Sequence, residues 1–289
     1  MQHVNADLAI RVIRLRRQQM LKSRILTALV LVPIVLVALL FTTAMQGTII
    51  ISAAVLVGAW EMSRLVGFNH AVARTLYVAL IGIVISALYF RPDLLQAVIV
   101  MGVIWWLIAL ICVVRFPVGK NHWANSSFLM PLMGCFVLIP CWVALTQLIS
   151  DRSMLLFMLL VVYGADTAAY FTGKKFGKVK LMPNVSPGKT REGLAGALVI
   201  VVIISLCIAP FLVPSISWWQ VLPLVVVTFL FSVLGDLTES MMKRVTGIKD
   251  SGNILPGHGG WMDRIDSLTA ASVIFVFGLC VIDCLTASI

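Results

Sequence analysis

Residues 194–213 read "LAGALVIVVIISLCIAPFLV", a run of 20 residues without a single charge. Coiled as an α-helix it would be about 30 Å long, the thickness of bilayer hydrocarbon. The same pattern recurs on either side. Apolar runs of spanning character lie at about 25–45, 48–65, 75–90, 94–114, 128–149, 153–172, 217–235 and 267–286. With the first run that makes nine, of which the second and third in chain order are short. The 289-residue chain is 61% hydrophobic and only 12% charged, with a mean hydropathy of +1.04. A soluble domain carries about twice that share of charged residues. The expected fold is therefore all-α, a polytopic integral membrane helical bundle of about nine transmembrane helices. No separate soluble domain fits between the spans.

The net charge of +10 invites a nucleic-acid reading, but the placement of the basic residues argues against it. With the N-terminus cytoplasmic and the spans alternating, 20 of the 22 Lys and Arg residues fall on the inner side, and only Arg91 and Arg152 lie outside. Such a bias is the positive-inside rule at work. The excess charge reports topology, and membrane lipids with anionic headgroups are its natural neighbours, with no nucleic acid implied. Three regions follow: a basic cytoplasmic tail at 1–24, N-terminal transmembrane helices at 25–152, and a C-terminal transmembrane region at 153–289 with cytoplasmic loops at 173–193 and 236–266. Residues 20–24, "MLKSR", would themselves serve as a start, so residues 1–19 are read as an extension without chemistry. No cleavable signal peptide is expected, because the first apolar run ends without a small-residue cleavage site. The six cysteines (112, 135, 141, 207, 280 and 284) form no C-x-x-C pair and are read as packing residues.

Two polar loops stand out, and both face the same side. The first starts on the sixth span, where Asp166, Tyr170 and Gly173 share one helical stripe. A polar tether to another helix is the plainer reading of Asp166; a substrate-facing carboxylate is the functional one. It continues into "SPGKTREG", residues 186–193. This is no Walker A loop, since the position five before Gly188 is Pro183 and no α/β pattern surrounds it. Pro187 fits a helix start, after which Gly188, Lys189 and Thr190 would offer amides, an ammonium and a hydroxyl to an anion.

In the second loop Asp236, Glu239, Ser240 and Lys243 follow i, i+3, i+4 and i+7 spacing, so a continuing helix would align them along one edge. Lys249 and Asp250 come next, and then "GHGGWMDRID" at 257–266, where glycines permit a tight return. Asp263 and Asp266 open the last span, where a helix N-terminus favours negative charge. That benefit explains one of them, and it leaves Asp236 unexplained. Carboxylates ending one span and opening the next suit a hard cation such as Mg²⁺, held by few protein oxygens with phosphates completing the shell. Neighbouring Lys and Arg would take the remaining phosphate charge. The implied chemistry is phosphoryl or nucleotidyl transfer at the membrane surface.

At these residues the sequence resembles a known family. Residues 240–266, "SMMKRVTGIKDSGNILPGHGGWMDRID", together with "GADTAAYFTGKKFGK", "SPGKTREG" and "LGDLTES" in the same order, look like the blocks of the bacterial phosphatidate cytidylyltransferases, or CDP-diacylglycerol synthases. The resemblance implies an enzyme of phospholipid biosynthesis in the bacterial cytoplasmic (inner) membrane, with its active site on the cytoplasmic face. CTP and phosphatidic acid would give CDP-diacylglycerol and pyrophosphate, with Mg²⁺ as cofactor, a second cation open, and a homodimer as the assembly. Carried over residue by residue, it implies Asp236, Lys243, Asp263 and Asp266 as catalytic, with Asp236, Asp263 and Asp266 holding metal. Asp166, Ser186, Lys189, Thr190, Arg191, Ser240, Arg244, Lys249, His258 and Arg264 become substrate-binding candidates. His258 carries least weight, since a lone His in a glycine loop serves equally well as a structural hydrogen-bonder.

Two alternatives stand beside this reading. A CDP-alcohol phosphotransferase also works on membrane lipids with paired aspartates, but its D-G-x-x-A-R pattern is absent. A transporter or channel would place acids at the midplane and repeat them between halves. Here the acids gather at one face of the C-terminal half.

Overall fold

The computed structural model describes residues 42–124, 126–252, 254 and 259–287. It is a helical bundle whose long members are α1 (Ala44–Leu65), α2 (Ala71–Tyr89), α3 (Leu95–Arg115), α5 (Leu129–Leu148), α6 (Arg152–Phe176), α7 (Arg191–Leu212), α8 (Trp218–Thr246) and α9 (Met262–Ala287). A short helix α4 (Lys120–Ala124) precedes α5, and a hairpin of β1 (Lys180–Met182) and β2 (Ser186–Thr190) separates α6 from α7. Among the described residues 8 helices are long and apolar enough to cross a membrane. They coincide with eight of the nine runs read from the sequence. The remaining run, 25–45, lies outside the described residues except for its last four positions. The two short runs prove adequate: α1 has 22 residues and α2 has 19.

Local sequence accounts for most helix boundaries. The Thr43 hydroxyl accepts from Gln46 N while the Gln46 amide reaches back to Thr43 N, closing a capping box at the start of α1. Ser217 and Gln220 repeat the device on α8, and Asp151 caps α6 by accepting from Met154 N at 3.1 Å. Gly247, at φ 71°, ends α8 in the left-handed conformation that glycine adopts without penalty.

Two sequence expectations are corrected here. Pro187 does not begin a helix: Ser186–Thr190 is a strand, and the helix starts at Arg191 with Thr190 Oγ1 accepting from Gly193 N at 3.2 Å. Thr190 outcompetes Pro187 because a hydroxyl cap satisfies an orphan amide that a strand proline cannot. The polar stretch 236–266 is also less loop than expected, since residues up to Thr246 continue α8.

The interior is a continuous apolar cluster running through all the long helices, with Trp106, Phe157, Phe229 and Phe275 among its largest fully buried members. Outward faces stay apolar too, as Ile49, Ile83, Ile104 and Phe211 show. In water such faces would be a liability; in lipid they are the solvent contact. The most intimate pairs are α6 with α7 and α8 with α9. In the first pair small residues allow close approach: a methyl group on Gly193 would lie 3.1 Å from Gly173 Cα, and Thr172 Oγ1 donates to Gly193 O at 3.1 Å. The Gly193–Ala197 face thus packs within the bundle.

With each long helix crossing once, the C-terminal ends of α1, α3, α6 and α8 share a side with the N-terminal ends of α2, α5, α7 and α9. Contacts agree with this alternation. Tyr77 OH donates to Pro131 O at 3.2 Å near one surface, while Arg152 donates to Thr42 O near the other.

Candidate active site

Every candidate side chain among the described residues belongs to that first side. Asp166 on α6, Lys189 and Thr190 at the end of β2, and Asp236 on α8 line one cavity of about 410 Å³. Tyr170 and Gly173 complete the α6 wall, as the stripe spacing required, and Leu181, Leu194 and Val233 give the cavity an apolar flank. Lys189 Nζ stands 2.8 Å from Asp236 Oδ2, and Ser240 Oγ donates to Asp236 Oδ1 at 3.2 Å. The i, i+4 spacing on α8 produces the second contact, and the hairpin delivers the first.

Asp266 stands on α9 within electrostatic reach of Asp166, Asp236 and Lys189. What brings α9 so near is Gly235, where any side chain would collide with the Asp266 backbone. Three acids from three helices are thus gathered against one ammonium.

A second cluster adjoins the first. Lys243 Nζ lies 2.7 Å from Asp263 Oδ1 and 3.3 Å from Glu239 Oε1, deep enough that the Glu239 side chain is only 2% exposed. Asp263 also accepts from Gly260 N at 2.9 Å and from Ser251 N at 3.3 Å. One lysine therefore compensates two acids, an arrangement stable only while all three are present. Asp266 lies within electrostatic reach of both Glu239 and Lys243, so it links the two clusters.

Other candidates are placed differently. Arg244 Nε donates to Val185 O at 3.0 Å, pinning the tip of the hairpin to α8. Arg191 N donates to Val179 O at 2.9 Å, and its exposed side chain is not among the cavity's lining residues. Ser186 is partly buried within β2, and Lys249 and Arg264 are exposed and line no part of the cavity. His258 lies outside the described residues.

The sequence reading missed Glu61, on α1. This carboxylate is 1% exposed, and its Oε2 accepts from both Ser251 Oγ and Met262 N at 2.8 Å. A signal was available: Glu61 is the only acid between Asp7 and Asp93, set in the apolar stretch "GAWEMSRL". A lone acid in a span needs a partner.

Among the described residues no three Asp, Glu, His or Cys side chains converge tightly enough to hold a metal ion by themselves. The donor chemistry nevertheless suits Mg²⁺, which takes one or two carboxylates and keeps waters or substrate phosphates for the rest. Asp236 and Asp266, brought together at the Gly235 contact, supply that kind of donor.

Comparison with known proteins places this geometry. The model of the cytidylyltransferase family matches residues 22–282. A protein of Pseudomonas aeruginosa named phosphatidate cytidylyltransferase is 42% identical over 261 residues, covering 89% of this chain and 96% of its own length. A protein of the same name from Haemophilus influenzae is 35% identical over 282 residues, covering 89% of this chain and 98% of its own. A third of that name, from Staphylococcus saprophyticus, is 48% identical over 113 residues, which is 39% of this chain and 44% of its own. A match across most of the chain, joined to acids and lysines gathered at one end of a membrane bundle, leads to one conclusion: the chain is a membrane enzyme of the cytidylyltransferase family.

Proposed function

We propose that the protein transfers the cytidylyl group of CTP to phosphatidic acid, giving CDP-diacylglycerol and pyrophosphate. The observation that carries the reading is the largely apolar cavity in which the polar side chains of Asp166, Lys189, Thr190 and Asp236 meet. Its polar wall suits a phosphate headgroup and its apolar flank suits a chain that stays in lipid. In the reaction a phosphatidate oxygen attacks the α-phosphorus of CTP, the bond to the β-phosphate oxygen breaks, and pyrophosphate leaves with that electron pair. Such a displacement needs alignment and charge neutralisation more than covalent help from the protein.

Lys189 exchanges its contact with Asp236 for phosphate oxygens, and Thr190 keeps the start of α7 facing them. Lys243 holds Asp263 in place and balances the acids around it. Asp236 and Asp266, with Asp263 of the adjoining cluster as a further candidate, would hold Mg²⁺, which supplies Lewis-acid stabilisation of the transferring phosphoryl oxygens when bound. Ser240 orients Asp236. Arg244 fixes the hairpin that presents Lys189, while Arg191, Lys249 and Arg264 take more distant phosphate charge, and His258 is a further candidate for a phosphate contact.

The distribution of basic residues supports an active site on the cytoplasmic face of the bacterial inner membrane. A homodimer rests on family resemblance alone and is checked by light scattering in detergent.

The decisive assay mixes purified protein, CTP, Mg²⁺ and phosphatidic acid in detergent micelles and follows pyrophosphate. Release that requires both substrates, with a CDP-lipid as co-product, is expected. Absence of release, or release indifferent to phosphatidic acid, overturns the reading.

A further inference from the structure

Glu61 sits on α1, outside the helices that carry the candidate catalytic groups. Its Oε2 takes two hydrogen bonds that span a chain segment: Ser251 Oγ lies at the beginning of that segment and Met262 N at its end, each at 2.8 Å. One oxygen therefore closes the return between α8 and α9. The closure is tight: side chains on Gly252 and Gly260 would run into the Glu61 carboxylate, and Trp261 Nε1 donates to Ala54 O, two turns earlier on α1, at 2.9 Å. The two amides that hold Asp263, from Ser251 and Gly260, belong to this same clamped segment. Met262 N is moreover a first-turn helix amide without an intrahelical acceptor, so the Glu61 carboxylate satisfies it at the positive end of α9.

We infer that Glu61 is a positioning residue for the proposed reaction: it ties Ser251 to Met262, the two ends of the α8–α9 return, so that Ser251 N and Gly260 N orient the Asp263 carboxylate toward Lys243. Glu61 touches neither the cavity nor Lys243, and it acts through backbone amides. The inference rests on the catalytic reading of Asp263, whereas the clamp itself does not.

Two measurements on the full-length protein in detergent test it. In the micelle assay with CTP, phosphatidic acid and Mg²⁺, Glu61→Ala lowers kcat by about tenfold to a hundredfold, as expected for a displaced reacting group. KM for phosphatidic acid changes little, because the lipid is held elsewhere. Glu61→Gln retains a carbonyl acceptor and restores most of the rate. Combined with Asp263→Asn, Glu61→Ala adds almost nothing, because both changes disable one group. Ser251→Ala, which keeps its amide and loses only the hydroxyl, gives a weaker effect in the same direction and serves if Glu61→Ala fails to fold.

Hydrogen exchange provides the readout independent of turnover. Peptides covering Ser251 and Gly260–Met262 exchange faster in Glu61→Ala and Ser251→Ala, while the middle of α9 is unchanged. Unchanged exchange overturns the clamp. Faster exchange with kcat retained, or losses that multiply in the double variant, overturns its role in positioning Asp263. A wild-type protein that releases no pyrophosphate overturns the enzymatic reading and with it that role, leaving the clamp to be decided by exchange alone.

Discussion

Gly235 on α8 and Asp266 on α9 meet backbone to backbone: a methyl group on Gly235 would collide with the Asp266 carbonyl oxygen and lie 3.2 Å from its carbonyl carbon. This approach sets the separation of the Asp236 and Asp266 side chains. Gly235→Ala is expected to cost about 1–3 kcal/mol through overpacking. Activity should fall further than stability, because the acids move apart. Thermal unfolding and the pyrophosphate assay on the same preparation check both.

Asp236 is half-buried, with Lys189 and Ser240 already in contact. Asp236→Asn keeps the shape and removes the charge. The expected loss of kcat is about a hundredfold or more, the scale of removing one preorganised electrostatic contact. The folded state should persist, as judged by gel filtration in detergent.

Lys243 is the counter-charge for two acids, so its removal leaves Glu239 and Asp263 uncompensated in a buried setting. Lys243→Ala is expected to destabilise by about 3–5 kcal/mol. Adding Glu239→Gln should recover part of that stability and none of the activity. Denaturation midpoints of the single and double variants give the comparison.

Arg244 bonds to the Val185 carbonyl and so carries the hairpin that presents Lys189. Arg244→Ala should cost roughly 1–3 kcal/mol for a charge-assisted hydrogen bond and raise KM for CTP more than it lowers kcat. Steady-state kinetics with varied CTP separates the two.

Removal of divalent metal by a chelator should stop pyrophosphate release, and added Mg²⁺ should restore it. Ca²⁺, larger and less strict in geometry, should restore it poorly.

Hydropathy made the bundle legible, since an apolar run of about 20 residues crosses lipid with its backbone satisfied only as a helix, and eight of the expected runs became helices. The i, i+3, i+4 and i+7 spacing of Asp236, Glu239, Ser240 and Lys243 was equally readable, because a helix fixes which side chains align. The hairpin escaped notice. Its strands have 3 and 5 residues, too few for alternation to register, and Pro187 imitated a helix start. Glu61 escaped for a different reason: its partners lie about 190 residues away in sequence, and no local pattern encodes a contact at that range. The division of labour between Lys189 and Lys243 was likewise invisible, since only packing decides which acid each lysine meets.

The carboxylate of Glu61 has one more implication, for dissection of the molecule. A fragment starting at residue 153 would retain every substrate-facing candidate and still forfeit the latch that α1 supplies. Such a truncate should be catalytically crippled even when well inserted, and co-expressing residues 1–152 in trans should revive it. Half of this protein is therefore not transplantable as a free-standing catalyst.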